Sequence, residues 1–170
     1  LCESPYTASK IAGEAMVWAY NRCYNIDSVI FRFSNVYGMY DNSDRVVPLF
    51  IRQCKAGQEM TIFGRDKELD FTYIDDSING IMGAIENFDK AKNDVYNLAY
   101  GVGATILGVA EMVKEKLGTN NNIDIKDNRT GEVIKYVADI TKAKQKLGFN
   151  PTTNIEQGLE KTIEWYSKNE

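Results

Sequence analysis

The chain has 170 residues, 44% of them hydrophobic, which suits a folded domain with a sizeable core rather than a disordered segment. Its 20 Lys and Arg against 24 Asp and Glu leave a net charge of -4, and the cations are scattered, which argues against a nucleic-acid surface. There is no histidine, which excludes Ser-His and Cys-His nucleophile schemes and removes the commonest zinc ligand, and no apolar run approaches the ~20 residues of a membrane span.

The first predicted element is a helix from about Thr7 to Tyr24. Ser4 can cap it, and Pro5 suits its first turn, where a proline needs no hydrogen-bond donor. Ile11, Ala15, Trp18 and Ala19 form one apolar stripe. Tyr6 and Lys10 stand four residues apart near its start, so both can point into the same space. A free phenol has a pKa of about 10, and both a nearby ammonium and the positive end of a helix dipole stabilise the phenolate. The chemistry suggested is proton transfer to or from a hydroxyl. The same spacing also occurs on helices where a solvated lysine lies beside a half-buried tyrosine.

Ser28 to Val36 reads as a strand buried on both faces, ended by Tyr37-Gly38. A polar loop over 39–45 precedes a helix from about Val47 to Ala56, stopped at Gly57. Short strands are expected at Met60 to Phe63 and Phe71 to Ile74, with Gly64 as a turn. Asp75 or Asp76 is expected to cap a helix running to about Asn87. Asp94 to Ala99 reads as a strand, Leu107 to Leu117 as a helix ended by Gly118, and Ile123 to Lys126 as a strand. Asp139 or Thr141 is expected to cap a helix ended by Gly148. Thr153-x-x-Glu156 reads as a capping box opening the last helix, Ile155 to Ser167, with Leu159, Ile163 and Tyr166 as its apolar stripe. Strands alternating with helices predict an α/β fold. The cysteines Cys2, Cys23 and Cys54 have no metal-like spacing, and no metal site is expected. They read as structural thiols of a reducing compartment, and the absence of a visible signal peptide points to the cytoplasm.

Ser4-Pro5-Tyr6-x-x-Ser9-Lys10 is followed by Phe31-Arg32-Phe33-Ser34-Asn35-Val36-Tyr37-Gly38, Val47-Pro48 and Asp70-Phe71-Thr72-Tyr73-Ile74-Asp75-Asp76. Tyr96-Asn97-Leu98 and Leu147-Gly148-Phe149-x-Pro151 come next. As a set, and in this order, these resemble the extended short-chain dehydrogenase/reductase family, and more narrowly its NAD-dependent nucleotide-sugar epimerases and dehydratases. The resemblance covers essentially the whole chain. It implies the C-terminal part of a Rossmann-type protein with a smaller mixed α/β substrate domain. Residues 1–38 would end the dinucleotide-binding domain and 39–170 would mainly bind substrate, with the 94–99 strand able to return to the main sheet.

The resemblance also implies roles. Tyr6 would be the general acid/base and Lys10 its electrostatic partner, which also bonds the nicotinamide ribose of NAD. Phe33 and Ser34 would lie by the nicotinamide. Asn35 and Val47 would contact the nucleotide sugar, and Asn35 also stands at a strand end, where ligands of open α/β sheets gather. Arg129 and Glu132, in Arg-x-Gly-Glu, would meet a diphosphate oxygen and a ribose hydroxyl. Many family members carry an arginine just before Asp-Phe to hold the diphosphate, but here that position is Leu69. Either Arg65 or Lys67 takes the charge, or binding relies on Arg129. The family opens with a glycine-rich dinucleotide-binding turn, and Gly101-Val102-Gly103 reads instead as an ordinary turn, so this sequence is expected to be one portion of a longer enzyme. The expected activity is epimerisation by transient oxidation of a sugar hydroxyl. A 4,6-dehydratase, a uronate decarboxylase or a non-catalytic sugar-nucleotide-binding domain are the alternatives. The first helix is expected to form a homodimer interface, with neither nucleic acid nor membrane as partner.

Overall fold

The structure, a computed structural model, describes residues 4–169; Cys2 lies outside them. Helix α1 (Pro5–Tyr24) is capped by Ser4, whose hydroxyl accepts from the Thr7 amide at 3.2 Å. It ends at Asn25, whose left-handed backbone (φ 54°) suits an asparagine. The expected strand over 28–36 is in fact two, β1 (Val29–Phe33) and β2 (Asn35–Tyr37), broken at Ser34. The pieces separate because they serve different sheets. β1 pairs in parallel with β5 (Asp94–Leu98), whereas β2 pairs in parallel with β4 (Glu68–Tyr73). Nor is the segment buried on both faces, since Arg32, Phe33 and Asn35 are exposed.

β4 also pairs with two short strands that no sequence pattern announced: β6 (Gly103–Thr105), antiparallel, and β8 (Lys135–Tyr136), parallel. β3 (Met60–Phe63) and β7 (Ile123–Lys126) form a separate parallel pair. Around these lie α2 (Val46–Lys55), α3 (Ile74–Glu86), α4 (Phe88–Ala91), α5 (Ile106–Leu117), α6 (Thr141–Leu147) and α7 (Ile155–Asn169).

Two apolar clusters hold the elements. The larger joins α2, β3, α5 and α7 over Tyr37, Phe71 and Tyr73, with Phe50, Ile51, Val109, Leu159 and Tyr166 at its centre. The smaller joins α3, β5 and α6 through Tyr96, Leu98, Leu147 and Phe149, and Val29 and Phe31 of β1 pack against it. Gly80 on α3 allows the close approach. An added Cβ there would stand 2.8 Å from a Leu98 methyl and 2.9 Å from the Phe149 ring.

Three helix caps differ from expectation. α3 starts at Ile74 with no side-chain cap, and Asp76 is spent elsewhere. Buried at 2% exposure, Asp76 accepts from the amides of Thr152 (3.1 Å) and Thr153 (2.9 Å), tying α3 to the approach of α7. The box opening α7 lies one residue later than Thr153-Glu156. Asn154 accepts from the Gln157 amide at 2.9 Å, and Gln157 accepts from the Asn154 amide at 3.2 Å. A glutamine and an asparagine serve this pattern as well as Glu and Thr. At α6 the cap position is Ile140, while the Asp139 carboxylate accepts from the Thr141 amide at 2.9 Å.

Candidate active site

α1 carries no buried residue, so its seat depends on polar ties. Glu14 holds Arg32 of β1 with both carboxylate oxygens, at 2.7 and 2.6 Å. The guanidinium bonds lower the Glu14 pKa, and Glu14 raises that of Arg32. At the other end, Asn21 donates to the Asn93 side chain at 2.9 Å, and Asn93 also accepts from the Ser28 amide at 3.2 Å. So fixed, α1 presents Tyr6 and Lys10 to a cleft of about 1050 Å³. The lysine nitrogen lies 5.3 Å from the centre of the Tyr6 ring, as their spacing on one helix face allows.

The opposite wall is the break between β1 and β2. Phe33, Ser34, Asn35 and Val47 all line the same cleft as Tyr6 and Lys10. Ser34 shares a 2.6 Å hydrogen bond with the buried Thr72 hydroxyl, and Asn35 donates to the Asp70 carbonyl at 3.1 Å. Val47 is only 2% exposed, so it shapes the wall from behind. Tyr37 is a core aromatic. Its ring packs edge-on to Phe71 and Tyr73, and burial raises the pKa of its phenol.

The third wall is one face of β4 together with Lys67, the residue before it. Lys67, Leu69 and Phe71, at alternate positions, all line the cleft, and Tyr136 of β8, paired with Leu69, joins them. The other alternation is buried: the Asp70 carboxylate, with no exposed surface, accepts from the amides of Tyr100 (3.0 Å), Gly101 (2.9 Å) and Ala138 (3.2 Å). Burial raises its pKa, and those amides oppose the rise. This carboxylate ties β4 to the segment that follows β5 and to the one that follows β8. Reading Asp70 only as part of a motif missed it; an acid directly followed by the apolar and aromatic Phe71-Thr72-Tyr73-Ile74 run was the available signal.

Arg129 and Glu132 do not line the cleft. Arg129 lies over the Phe63 ring, 3.7 Å from its centre, and pairs with Glu132 at 3.6 Å. Glu132 in turn holds Lys67 at 2.6 Å, so the two sequence-predicted residues stand one side chain behind the cleft. Arg65 is exposed and is not among the lining residues. Among the described residues no group of three His, Cys, Asp or Glu could hold a metal, and no helix is long and apolar enough to cross a membrane.

Four cations line the cleft, Lys10, Arg32, Arg45 and Lys67, against two acids, Glu14 and Asp44. Both acids are held by arginines, Arg32 and Arg52. Arg32 is itself held by Glu14 and Lys67 by Glu132, so Lys10 and Arg45 are the lining cations with no ion pair among the described residues, a modest positive bias in a chain of net charge -4.

Residues 2–162 match the family profile described as GDP-mannose 4,6 dehydratase. The chain belongs to this family of NAD-dependent epimerases and dehydratases, within the extended short-chain dehydrogenase/reductases. Among curated relatives, the "uncharacterized UDP-glucose epimerase YtcB" of Bacillus subtilis is 32% identical over 165 residues, covering 96% of this chain and 52% of the relative. A dTDP-glucose 4,6-dehydratase of Streptomyces niveus is 29% identical over 168 residues, covering 98% of this chain and 49% of the relative. In a crystal structure of UDP-glucuronic acid 4-epimerase from Bacillus cereus with UDP-glucuronic acid and NAD, the similar part has a TM-score of 0.94 at 30% identity. That similarity covers 100% of this chain and 55% of the epimerase. The chain therefore spans about half the length of the relatives it matches, and its fold corresponds to their C-terminal half.

Proposed function

We propose that this chain is the portion of an NAD-dependent nucleotide-sugar epimerase that carries the proton-transfer pair and the sugar-nucleotide side of the site. The observation that supports it is one shared cleft: Tyr6 and Lys10 on α1 share it with Ser34, Asn35 and one face of β4. Tyr6 takes the proton from a sugar hydroxyl and returns it to the product, and Lys10 beside it favours the charged phenolate in that step. Phe33, a residue 46% exposed, and Ser34, a hydroxyl, offer an aromatic face and a polar contact suited to a nicotinamide, and Lys10 suits its ribose. NAD, when bound, accepts the hydride and gives it back. Asn35 and Val47 position the sugar nucleotide, while Arg129 and Glu132 act on its anionic end through Lys67. No glycine-rich turn opening a helix occurs among the described residues, since Gly103 begins β6, so tight NAD binding is assigned to a longer protein.

A 4,6-dehydratase or uronate decarboxylase, which begins with the same oxidation, is the second reading, favoured by the dTDP-glucose 4,6-dehydratases among the relatives. We assign residues 39–170 mainly to substrate binding and β5, through its pairing with β1, to the main sheet. The exposed Ile11, Met16, Tyr20 and Tyr24 of α1 suit a homodimer through that helix, and the free thiols Cys23 and Cys54 suit a cytoplasmic setting. The test is turnover by the longer protein, supplied with NAD, on UDP-glucose, UDP-glucuronic acid and dTDP-glucose. C4 epimers formed by wild type and lost in Tyr6→Phe are expected; a 4-keto-6-deoxy product selects the second reading, and no conversion of any of them refutes both.

A further inference from the structure

Glu14 stands four residues after Lys10 on α1, the spacing that puts a carboxylate and an ammonium on one helix face. On spacing alone Glu14 would be the counter-ion of Lys10. The structure gives it to Arg32 instead. Both carboxylate oxygens are taken, one by the Arg32 Nε at 2.7 Å and one by a terminal nitrogen at 2.6 Å. The guanidinium reaches across from β1, whose pairing with β5 fixes the Arg32 backbone. Lys10 has no ion pair among the described residues, and its ammonium lies 5.3 Å from the centre of the Tyr6 ring.

Two features make this competition one-sided. A guanidinium fork meets a carboxylate with two parallel bonds, which an ammonium cannot do. A lysine that precedes its acid is also the weaker order for a helical pair at this spacing. The Glu14 side chain is only 24% exposed, so its charge needs a partner close by. With the guanidinium gone, Lys10, one turn back on the same helix, is the cation at hand.

We propose that Arg32 is a positioning residue for the Tyr6–Lys10 pair: it sequesters Glu14 and so keeps the Lys10 ammonium free to face the phenol. A Lys10 paired with Glu14 would lend less of its charge to a phenolate. That purpose rests on the proton-transfer reading of Tyr6 and Lys10; the competition for Glu14 rests on the geometry alone.

The experiment is trace acetylation of amines by acetic anhydride in the longer protein without NAD, with Lys10 labelling followed by peptide mass spectrometry. An ammonium held by a carboxylate gives up its proton less readily and is labelled more slowly. Arg32→Met slows Lys10 roughly two- to fivefold, the worth of one partly exposed ion pair. Adding Glu14→Gln to Arg32→Met restores the wild-type rate. Glu14→Gln alone speeds Lys10 by less than about 1.5-fold, because Arg32 already holds that carboxylate. The kcat for sugar conversion follows, falling in Arg32→Met and rising again in the double variant. Equal Lys10 labelling in all four proteins overturns the proposal, and the ion pair then only seats α1. So does an equal effect of Glu14→Gln with and without Arg32, which would be through-space charge and no exchange of partners. If Arg32→Met loses its native circular dichroism, Arg32→Lys replaces it in the cycle with the same expected signs, since it keeps the charge and loses the fork. Absence of turnover by the wild-type longer protein refutes the proton-transfer reading, while the labelling cycle still decides whether Arg32 withholds Glu14 from Lys10.

Discussion

Replacing Asp70 by alanine removes the acceptor for three backbone amides at a site with no exposed surface. Tyr100 keeps a second acceptor, the Thr72 hydroxyl at 2.9 Å, so two amides, Gly101 and Ala138, are orphaned. Each buried orphan costs about 1–3 kcal/mol, so Asp70→Ala should destabilise the chain by about 2–6 kcal/mol. Asparagine can keep its oxygen on Gly101 and Ala138, but turns its NH₂ toward the Tyr100 amide. Thr72 still serves that amide, so Asp70→Asn should cost less, about 1–3 kcal/mol for one charge-assisted bond. Thr72→Val removes the reserve acceptor. In the Asp70→Asn, Thr72→Val double variant Tyr100 has neither partner, and the loss should exceed the sum of the singles by about 1 kcal/mol or more. Urea unfolding of wild type, the three single variants and the double variant measures this through the shift in midpoint at constant m. A cost below about 1 kcal/mol for Asp70→Ala, or additivity within about 0.5 kcal/mol in the cycle, would refute the role assigned to this carboxylate.

In the longer protein, Tyr6→Phe should lower kcat by about 10²–10⁴-fold with the fold intact by circular dichroism, while activity near half of wild type would rule Tyr6 out as the acid/base. Lys10→Met should lower kcat and also raise the apparent Kd for NAD, measured by fluorescence quenching, because the proposed function gives that lysine both roles. The Glu14 pKa is lowered by its bonds to Arg32, so the pair stabilises the fold above the ordinary value of 4.5 and the gain is lost as pH falls through the lowered value. The pair is partly exposed, so Glu14→Gln should remove only about 0.2–1 kcal/mol, seen as a smaller difference in urea midpoint between pH 7 and pH 3. Gly80→Ala should cost about 1–3 kcal/mol by overpacking α3 against Leu98 and Phe149, read as a lower Tm; an unchanged Tm would show that those side chains give way freely.

Much of the chain was legible because its signals are local. A Ser-Pro start and i, i+4 spacing placed Tyr6 and Lys10 on one helix face, and Gly118 and Gly148 marked helix ends where left-handed backbone is needed. The motif order identified the family and hence the α/β fold. What the tertiary structure decided is what depends on partners distant in sequence. The run over 28–36 has the composition of one strand, yet β4 and β5 draw its halves into different sheets. β6 and β8 are two or three residues long, too short to show a period, and exist as strands because β4 offers them an edge. Asp75 and Asp76 look alike as caps, but only the position of Thr152 and Thr153, some 76 residues on, turns Asp76 inward. The charge on Lys67 was plain in the sequence; that it lines the cleft while Arg129 waits behind Glu132 follows from strand alternation and from long-range contacts, which sequence spacing does not encode.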